Sequence, residues 1–110
     1  MWATWLLARL AQICRQGLRA TDSFGRMGGE EFVALLPETD LAQAREVAER
    51  LVQAVREARV EPGDGRIVTF TISVGVTCAQ WSSRDIDAVI QAADQQLYRA
   101  KSEGRDRVCS

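Results

Sequence analysis

The sequence predicts an α+β fold, a mixed α/β sandwich in which helices flank a central, mostly antiparallel sheet. Three observations support this class. Apolar residues recur at helical spacing in three separate segments of the chain. Residues 22–27 and 32–36 resemble two strands joined by a glycine turn, as in a β-hairpin. Residues 66–78 alternate between apolar and polar side chains, which is typical of a sheet strand with one face in the core.

The three helices are predicted from their apolar faces and their end signals. The first helix opens the chain, and Gly17 weakens its last turn. The second follows Asp40 and Gln43, which match a capping box. Ser82 or Ser83 can cap the third. The apolar positions are Trp5, Leu6, Leu10, Ile13, Cys14 and Leu18 in the first, Leu41, Ala44, Val47, Ala48, Leu51, Val52 and Val55 in the second, and Ile86, Val89, Ile90, Ala93 and Leu97 in the third.

The later strands are predicted from turn signals and alternation. A turn at residues 62–65 (PGDG) leads into the long strand at residues 66–78. Gly75 within this strand predicts a bulge or a close packing contact. Gly104 ends the third helix, and residues 107–109 add a short edge strand. The predicted order is therefore α-β-β-α-β-α-β in one domain.

Composition excludes several classes of function. The 110 residues suffice for one modest core, and a net charge of −1 leaves no electrostatic footprint for nucleic acid or a membrane surface. Histidine is absent, which excludes histidine triads and histidine-ligated zinc. Any metal ion would be held by oxygen atoms, which favours Mg²⁺ or Mn²⁺.

The cysteines and the hydropathy of the chain predict its compartment. Cys14, Cys78 and Cys109 are odd in number and lack the spacing of a metal site, so we expect buried free thiols in a reducing cytoplasm. No apolar run reaches the roughly 20 residues that span a bilayer. The apolar start of the chain also lacks the basic region of a signal peptide. We therefore expect a cytoplasmic domain with no membrane contact.

The stretch Gly28-Gly29-Glu30-Glu31-Phe32 is the strongest local candidate for a site. The glycines permit positive φ and let a ligand approach the backbone, while the two carboxylates stand at the end of a rigid hairpin. Such a tip could hold a divalent cation and a phosphate. An ordinary glycine turn with solvated carboxylates is an equally good reading of these five residues taken alone.

Five segments together resemble the GGDEF domain of the bacterial diguanylate cyclase family. Residues 19–22 (RATD) match an RxxD motif, and residues 28–32 (GGEEF) the signature turn. Residues 71–76 (TISVGV) resemble the family's TVSIGVA-like strand. Residues 93–101 (ADQQLYRAK) and 104–108 (GRDRV) resemble its AD-ALYRAK helix and GRNRV ending. The resemblance extends over about residues 6 to 109, the C-terminal two-thirds of the family domain.

The resemblance implies a nucleotidyl-cyclase-like, or palm-like, sheet and a nucleotidyl transfer. Two GTP molecules would form cyclic di-GMP with release of pyrophosphate, each held by one domain of a homodimer. Glu30 would be a metal ligand, and Glu31 would bind metal or take the proton of the attacking hydroxyl. Gly28 and Gly29 would let the backbone approach GTP, with Mg²⁺ or Mn²⁺ as cofactor.

Two further groups of residues gain roles from the resemblance. Lys101 and Arg105 match the family's triphosphate-binding pair; otherwise they are a solvated basic group at a helix C-terminus. Arg19 and Asp22 match the inhibitory cyclic di-GMP site, and Arg50 matches its auxiliary arginine. A local Arg–Asp ion pair of little energetic value is the alternative for Arg19 and Asp22.

The chain departs from the family pattern at its start. The family's first strand, with an LDxDxFKxxND-like segment that supplies a metal-binding Asp and a guanine-binding Asn, has no counterpart here. A second guanine-binding Asp is replaced by Thr4. We therefore expect this shortened chain to be inactive alone. A cyclic di-GMP receptor module and a degenerate, non-catalytic fragment remain as alternatives.

Overall fold

The computed structural model describes residues 3–79 and 85–110 and contains the predicted order of helices and strands. The elements are α1 (Thr4–Gln16), β1 (Ser23–Gly28), β2 (Glu31–Leu35), α2 (Leu41–Glu57), β3 (Val74–Gly75), α3 (Ile86–Ser102) and β4 (Val108–Cys109). The mixed α+β class is thus confirmed. None of the helices within these residues combines the length and apolar character needed to cross a membrane.

The predicted hairpin is confirmed. β1 and β2 pair antiparallel from Ser23 opposite Leu35 to Gly28 opposite Glu31. The rings of Phe24 and Phe32 stack with centroids 5.3 Å apart and pack the hairpin against the core. The hairpin therefore holds its turn at the end of a packed element.

The prediction of one central, mostly antiparallel sheet is wrong for the described residues. They form two separate two-stranded sheets, and the pairing of β3 with β4 is parallel. Of the strand expected at residues 66–78, only Val74 and Gly75 join a ladder, and Val68 makes an isolated bridge with Val60. A ladder needs a neighbouring strand along its whole length, and β4 is only two residues long. The alternation still predicts most of the buried face, because Phe70, Ile72, Val74 and Val76 pack against the core. The prediction that Cys78 is buried is wrong, since it lies beyond the paired residues and its thiol is exposed.

The core lies between α1, α2 and residues 70–76. One cluster joins α1 to α2, and another joins α2 to β4; their buried members are Leu10, Ile13, Cys14, Leu51 and Val55, and Ala48, Val52 and Val108. The predicted face of α1 needs one correction, since Trp5 is 38% exposed and Leu7 is buried. Leu7 stands three residues before Leu10 on the apolar stripe, whereas Trp5 lies one turn before the polar Arg9.

Helix ends and one glycine set the relative positions of the elements. The capping box of Asp40 and Gln43 is present at the start of α2. Asp85 caps α3, and the predicted caps Ser82 and Ser83 lie outside the described residues. A side chain at Gly75 would collide with the backbone of α3. The alternative of a close packing contact at Gly75 is therefore confirmed, and it seats β3 directly on α3.

Candidate functional site

The glycine turn, residues 28–31, carries the two predicted acidic residues at the hairpin tip. Gly28 (φ 143°) and Gly29 (φ 53°) both adopt positive φ, which other residues reach only with strain. Glu30 and Glu31 are exposed on either side of the change from turn to strand. The Glu31 carboxylate makes no hydrogen bond or ion pair within the part of the chain that the structure describes. It is thus open to an incoming ligand.

The donor set at this turn fits a cation that arrives with a nucleotide. The described residues contain no group of three or more side chains that could ligate a metal ion by themselves. Mg²⁺ in proteins is commonly bound by one or two carboxylates together with substrate phosphates and water. Two adjacent carboxylates and no nitrogen or sulfur ligand match that pattern. The turn fits a metal–triphosphate complex better than a free ion.

Arg26 contacts the glycine turn, although it was not among the site residues predicted from the sequence. Its Nε and Nη2 donate to the carbonyl oxygen of Gly29 at 2.9 and 2.5 Å. The register of the hairpin shifts between Arg26 and Gly28, which makes Met27 the extra residue of a β-bulge. An arginine two residues before a Gly-Gly pair was the available sequence signal, but spacing alone does not show which atom it contacts.

The predicted phosphate-binding residues lie at the end of α3. Lys101 and Arg105 are exposed, and within the described residues their side chains make no hydrogen bond or ion pair. Their neighbours differ: Arg99 and Arg107 both pair with Glu103, and the hydrogen bond from Arg99 to Glu103 raises the pKa of Arg99. Two cations at this helix end are therefore available to an anionic ligand.

The structure does not bring all the predicted residues into one pocket. Glu31 begins the second strand of the first sheet and Glu30 lies in its turn, whereas α3 packs on the second sheet through β3 and β4. Neither the groove beside α2 nor the cavity between Arg45 and Ser110 is lined by the two acids or by Lys101 and Arg105. The assignment of these four residues to one active site stays a prediction.

Arg19, Asp22 and Arg50 do meet in one groove. They line a cavity of about 720 Å³ between the start of the hairpin and α2. The Asp22 side chain is only 2% exposed and accepts a hydrogen bond from the Arg19 backbone N–H at 2.8 Å. The Arg19 Nη2 is shared among Asp22, the Pro37 carbonyl and the Thr39 hydroxyl.

The two arginines of the groove differ in how firmly they are held. Arg19 is fixed by its three acceptors, while Arg50 on α2 makes no ion pair or hydrogen bond with its side chain in the described residues. Glu46 and Glu49 also line the groove. The two arginines would attract the phosphates of a ligand, whereas the two glutamates would repel them and accept hydrogen bonds. The groove therefore favours a ligand that carries hydrogen-bond donors as well as phosphates.

Comparison with known proteins identifies the class. The family model described as "Diguanylate cyclase, GGDEF domain" matches residues 4–107. The chain belongs to the GGDEF diguanylate cyclase family. It is 35% identical over 103 residues to diguanylate cyclase A of Treponema denticola and 41% identical over 103 residues to diguanylate cyclase DgcP of Pseudomonas aeruginosa. Each match covers 94% of this chain, but 28% and 15% of the respective relative.

Solved structures of diguanylate cyclases and GGDEF domains share the fold of this chain. Diguanylate cyclase SiaD of P. aeruginosa, solved with its activator SiaC, has a TM-score of 0.86 and 38% identity over 94% of this chain and 39% of that chain. The active GGEEF domain of a Vibrio cholerae diguanylate cyclase has a TM-score of 0.79 and 31% identity over 94% and 65% of the two chains. The GGDEF domain of DgcB from Caulobacter crescentus, solved in complex with c-di-GMP, shares the fold at 22% identity, with a TM-score of 0.87 over 94% and 61%.

Proposed function

We propose that this chain is the GTP-binding part of a diguanylate cyclase, which condenses two GTP molecules into cyclic di-GMP and two pyrophosphates. The observation that supports this most directly is the glycine turn, where Glu30 and Glu31 stand at the tip of a packed hairpin. Membership of the family, with 35% and 41% identity to two diguanylate cyclases, supplies the reaction class.

The roles of the turn residues follow from the needs of phosphoryl transfer, which depends on positioning and charge neutralisation more than on a protein nucleophile. The 3′-hydroxyl of one GTP attacks the α-phosphate of the other, and pyrophosphate leaves. Gly28 and Gly29 let the backbone approach the phosphates, because neither carries a side chain that would block them. Glu30 would bind Mg²⁺ or Mn²⁺, and Glu31 would bind it or accept the hydroxyl proton. The metal ion would neutralise charge on the triphosphate.

Lys101 and Arg105 are proposed to bind the triphosphate. Both side chains lack a partner within the described residues, so no existing ion pair has to break when phosphate binds. A lysine supplies a point charge and an arginine a bidentate fork, and both suit phosphate oxygens. Glu30 lies at the turn of the first sheet, whereas Lys101 lies on α3, which packs on the second sheet. We therefore propose that both sheets are parts of one mostly antiparallel, palm-like sheet in the whole protein.

A homodimer and a cytoplasmic setting complete the proposal. If each domain holds one GTP, two domains must face each other for the hydroxyl of one nucleotide to reach the phosphate of the other. Three free cysteines fit a reducing compartment, so we place the reaction in the bacterial cytoplasm. We expect the 110 residues alone to bind GTP without turning it over, because the described residues place no third ligating side chain beside the two acids.

Calorimetric titration of the chain with Mn²⁺ and GTP tests the proposed site. Glu30→Ala and Glu31→Ala should each weaken binding at least about tenfold, a loss of about 1.4 kcal/mol. Glu61→Ala is the matched control, because it removes an exposed carboxylate far along the chain from the turn. Absence of GTP binding by the wild-type chain, or equal loss in all three variants, would contradict the proposal. Formation of cyclic di-GMP that disappears in the first two variants would extend it to catalysis.

The groove favours a second activity, the binding of cyclic di-GMP. We infer that Arg19, Asp22 and Arg50 form a product-binding inhibitory site, because all three line one cavity of about 720 Å³. Arginine can pair with phosphate or with guanine edges, and Asp22 can accept from a guanine amino group. In a chain without turnover, this site would make the domain a receptor module.

Titration with cyclic di-GMP tests the groove separately. Arg19→Ala and Arg50→Ala should abolish or strongly weaken binding. Arg59→Ala is the matched control, because Arg59 is also exposed and without a side-chain partner in the described residues, yet lies just past the end of α2. If neither GTP nor cyclic di-GMP binds the wild-type chain, the remaining alternative is a degenerate fragment that keeps the fold alone.

A further inference from the structure

The two glycines of the turn are not held in shape by side chains packed against them. Apart from the adjacent residues of the chain, neither Gly28 nor Gly29 has an atom within 4 Å of the position where a side chain would begin. Two consecutive glycines also have the largest conformational entropy of any residue pair, so a turn built from them samples many geometries unless something restrains it. A site that must orient two carboxylates to within a fraction of an ångström needs such a restraint.

The Arg26 guanidinium supplies one. Its Nε–H and Nη2–H both donate to the Gly29 carbonyl oxygen, at 2.9 and 2.5 Å, and a carbonyl oxygen has two lone pairs to accept them. Hydrogen bonds from a charged donor are roughly twice as strong as neutral ones. Because the peptide group is planar, fixing the Gly29 carbonyl also fixes the direction of the Glu30 N–H.

The β-bulge makes this contact possible. Arg26 is paired with Phe32 in the regular ladder, and Met27 is the extra residue before Gly28 meets Glu31. A bulge bends its strand and re-aims the neighbouring side chains. Arg26 can therefore reach forward by three residues to the turn while its backbone stays in the sheet.

We propose that Arg26 is the positioning residue of the glycine turn: its guanidinium holds the Gly29–Glu30 peptide so that the Glu30 and Glu31 carboxylates keep one orientation toward the metal ion and phosphates of GTP. The nucleotide part of this inference rests on the proposed function; the hold on the peptide does not. Arg26 acts through the backbone and need not touch GTP.

Backbone ¹⁵N relaxation of the 110-residue chain without ligand tests the hold directly. In the wild type we expect order parameters of about 0.85 at Gly29 and Glu30, and values below about 0.6 in Arg26→Ala. Arg26→Lys should give intermediate values, since its ammonium can replace one donor but not the fork. Arg66→Ala is the matched control, because Arg66 is an exposed arginine beside another glycine turn and, among the described residues, its side chain bonds only to Asp64.

The same four proteins are then titrated with Mn²⁺ and GTP. Arg26→Ala should weaken binding about tenfold, Arg26→Lys less, and Arg66→Ala not at all, with thermal unfolding of the Arg26 variants close to that of the wild type. Unchanged order parameters in Arg26→Ala would overturn the proposal, as would reduced order with wild-type nucleotide affinity. If the wild-type chain does not bind GTP, the proposed function fails, and the relaxation data still decide whether Arg26 holds the turn.

Discussion

Arg56 and Asp106 join the end of α2 to the loop between α3 and β4. The Arg56 Nε donates to both carboxylate oxygens of Asp106, at 3.2 and 3.1 Å, across fifty residues of sequence. That loop has three consecutive residues with positive φ: Gly104 (122°), Arg105 (63°) and Asp106 (50°). Only glycine adopts such angles freely, whereas aspartate tolerates them. The ion pair thus fixes a strained loop that presents Arg105.

Substitutions at Asp106 separate the backbone contribution from the ion pair. Asp106→Ala should lower the free energy of unfolding by about 1–2 kcal/mol, because alanine disfavours the left-handed region and accepts no hydrogen bond. Asp106→Asn should lower it by less than about 1 kcal/mol, since asparagine tolerates that region and still offers one acceptor. Urea titration measures both. Equal losses in the two variants would show that backbone strain at this position plays no part.

Gly75 allows β3 and α3 to approach each other closely. A side chain there would collide with backbone atoms of Ala93, Gln96 and Leu97, which cannot swing aside as a side chain could. Gly75→Ala should therefore reduce the free energy of unfolding by at least about 3 kcal/mol, the upper part of the range for overpacked cores.

The matched control for this prediction is Gly25→Ala in β1. A side chain at Gly25 would meet no atom within 4 Å, so the change should alter the free energy of unfolding by less than about 0.5 kcal/mol. Comparable losses in both variants would mean that glycine is required in these strands for a reason other than the approach of α3.

Periodicity predicted the elements of this fold better than it predicted their pairing. The helices, the hairpin and the buried face of residues 66–78 follow from local apolar patterns, and the structure contains them. The division into two small sheets could not be predicted, because alternation shows which face of a strand is buried but not which strand lies beside it. The exact edge of the apolar face of α1 was also not predictable: Trp5 was expected on that face but is exposed, whereas Leu7 was not expected there and is buried.

For the candidate sites too, the residues could be predicted from the sequence but their contacts could not. Motif spacing predicted that the glycine turn ends a hairpin, and the structure also brings Arg19, Asp22 and Arg50 into one groove. The contact of Arg26 with the Gly29 carbonyl was not predicted, because it depends on a bulge and on the reach of a long side chain. A pairing such as Arg56 with Asp106 is equally hidden, since it joins residues that only the tertiary fold brings together.

The capping box at the start of α2 gives a direct test of a sequence-derived signal. The Asp40 carboxylate accepts from the Gln43 N–H at 2.8 Å, and the Gln43 side chain accepts from the Asp40 N–H at 3.0 Å. Asp40→Ala should lower the free energy of unfolding by about 1 kcal/mol, and Asp40→Ser by much less, because serine is also a good N-cap. Chemical denaturation followed by circular dichroism measures the difference; an equal loss for alanine and serine would contradict a capping role.

Cys14 should make the stability of the fold depend on pH in alkaline solution. Burial raises the pKa of its thiol from 9.0 to about 11. Below pH 9 the thiol is protonated in both folded and unfolded chains, so its contribution is constant. Above pH 9 the unfolded chain loses the proton first, and the free energy of unfolding falls, by up to about 2–3 kcal/mol, as the pH rises toward 11.

Variants of two cysteines isolate this contribution from other groups that titrate at high pH. Cys14→Ala should be less stable than the wild type at pH 7, because it leaves a small cavity, but its stability should fall less steeply between pH 9 and 11. Cys78→Ala should keep the wild-type slope, because Cys78 is exposed. Urea titrations at a series of pH values supply the slopes. A Cys14→Ala slope equal to that of the wild type would mean that the buried thiol does not ionise on unfolding in this range.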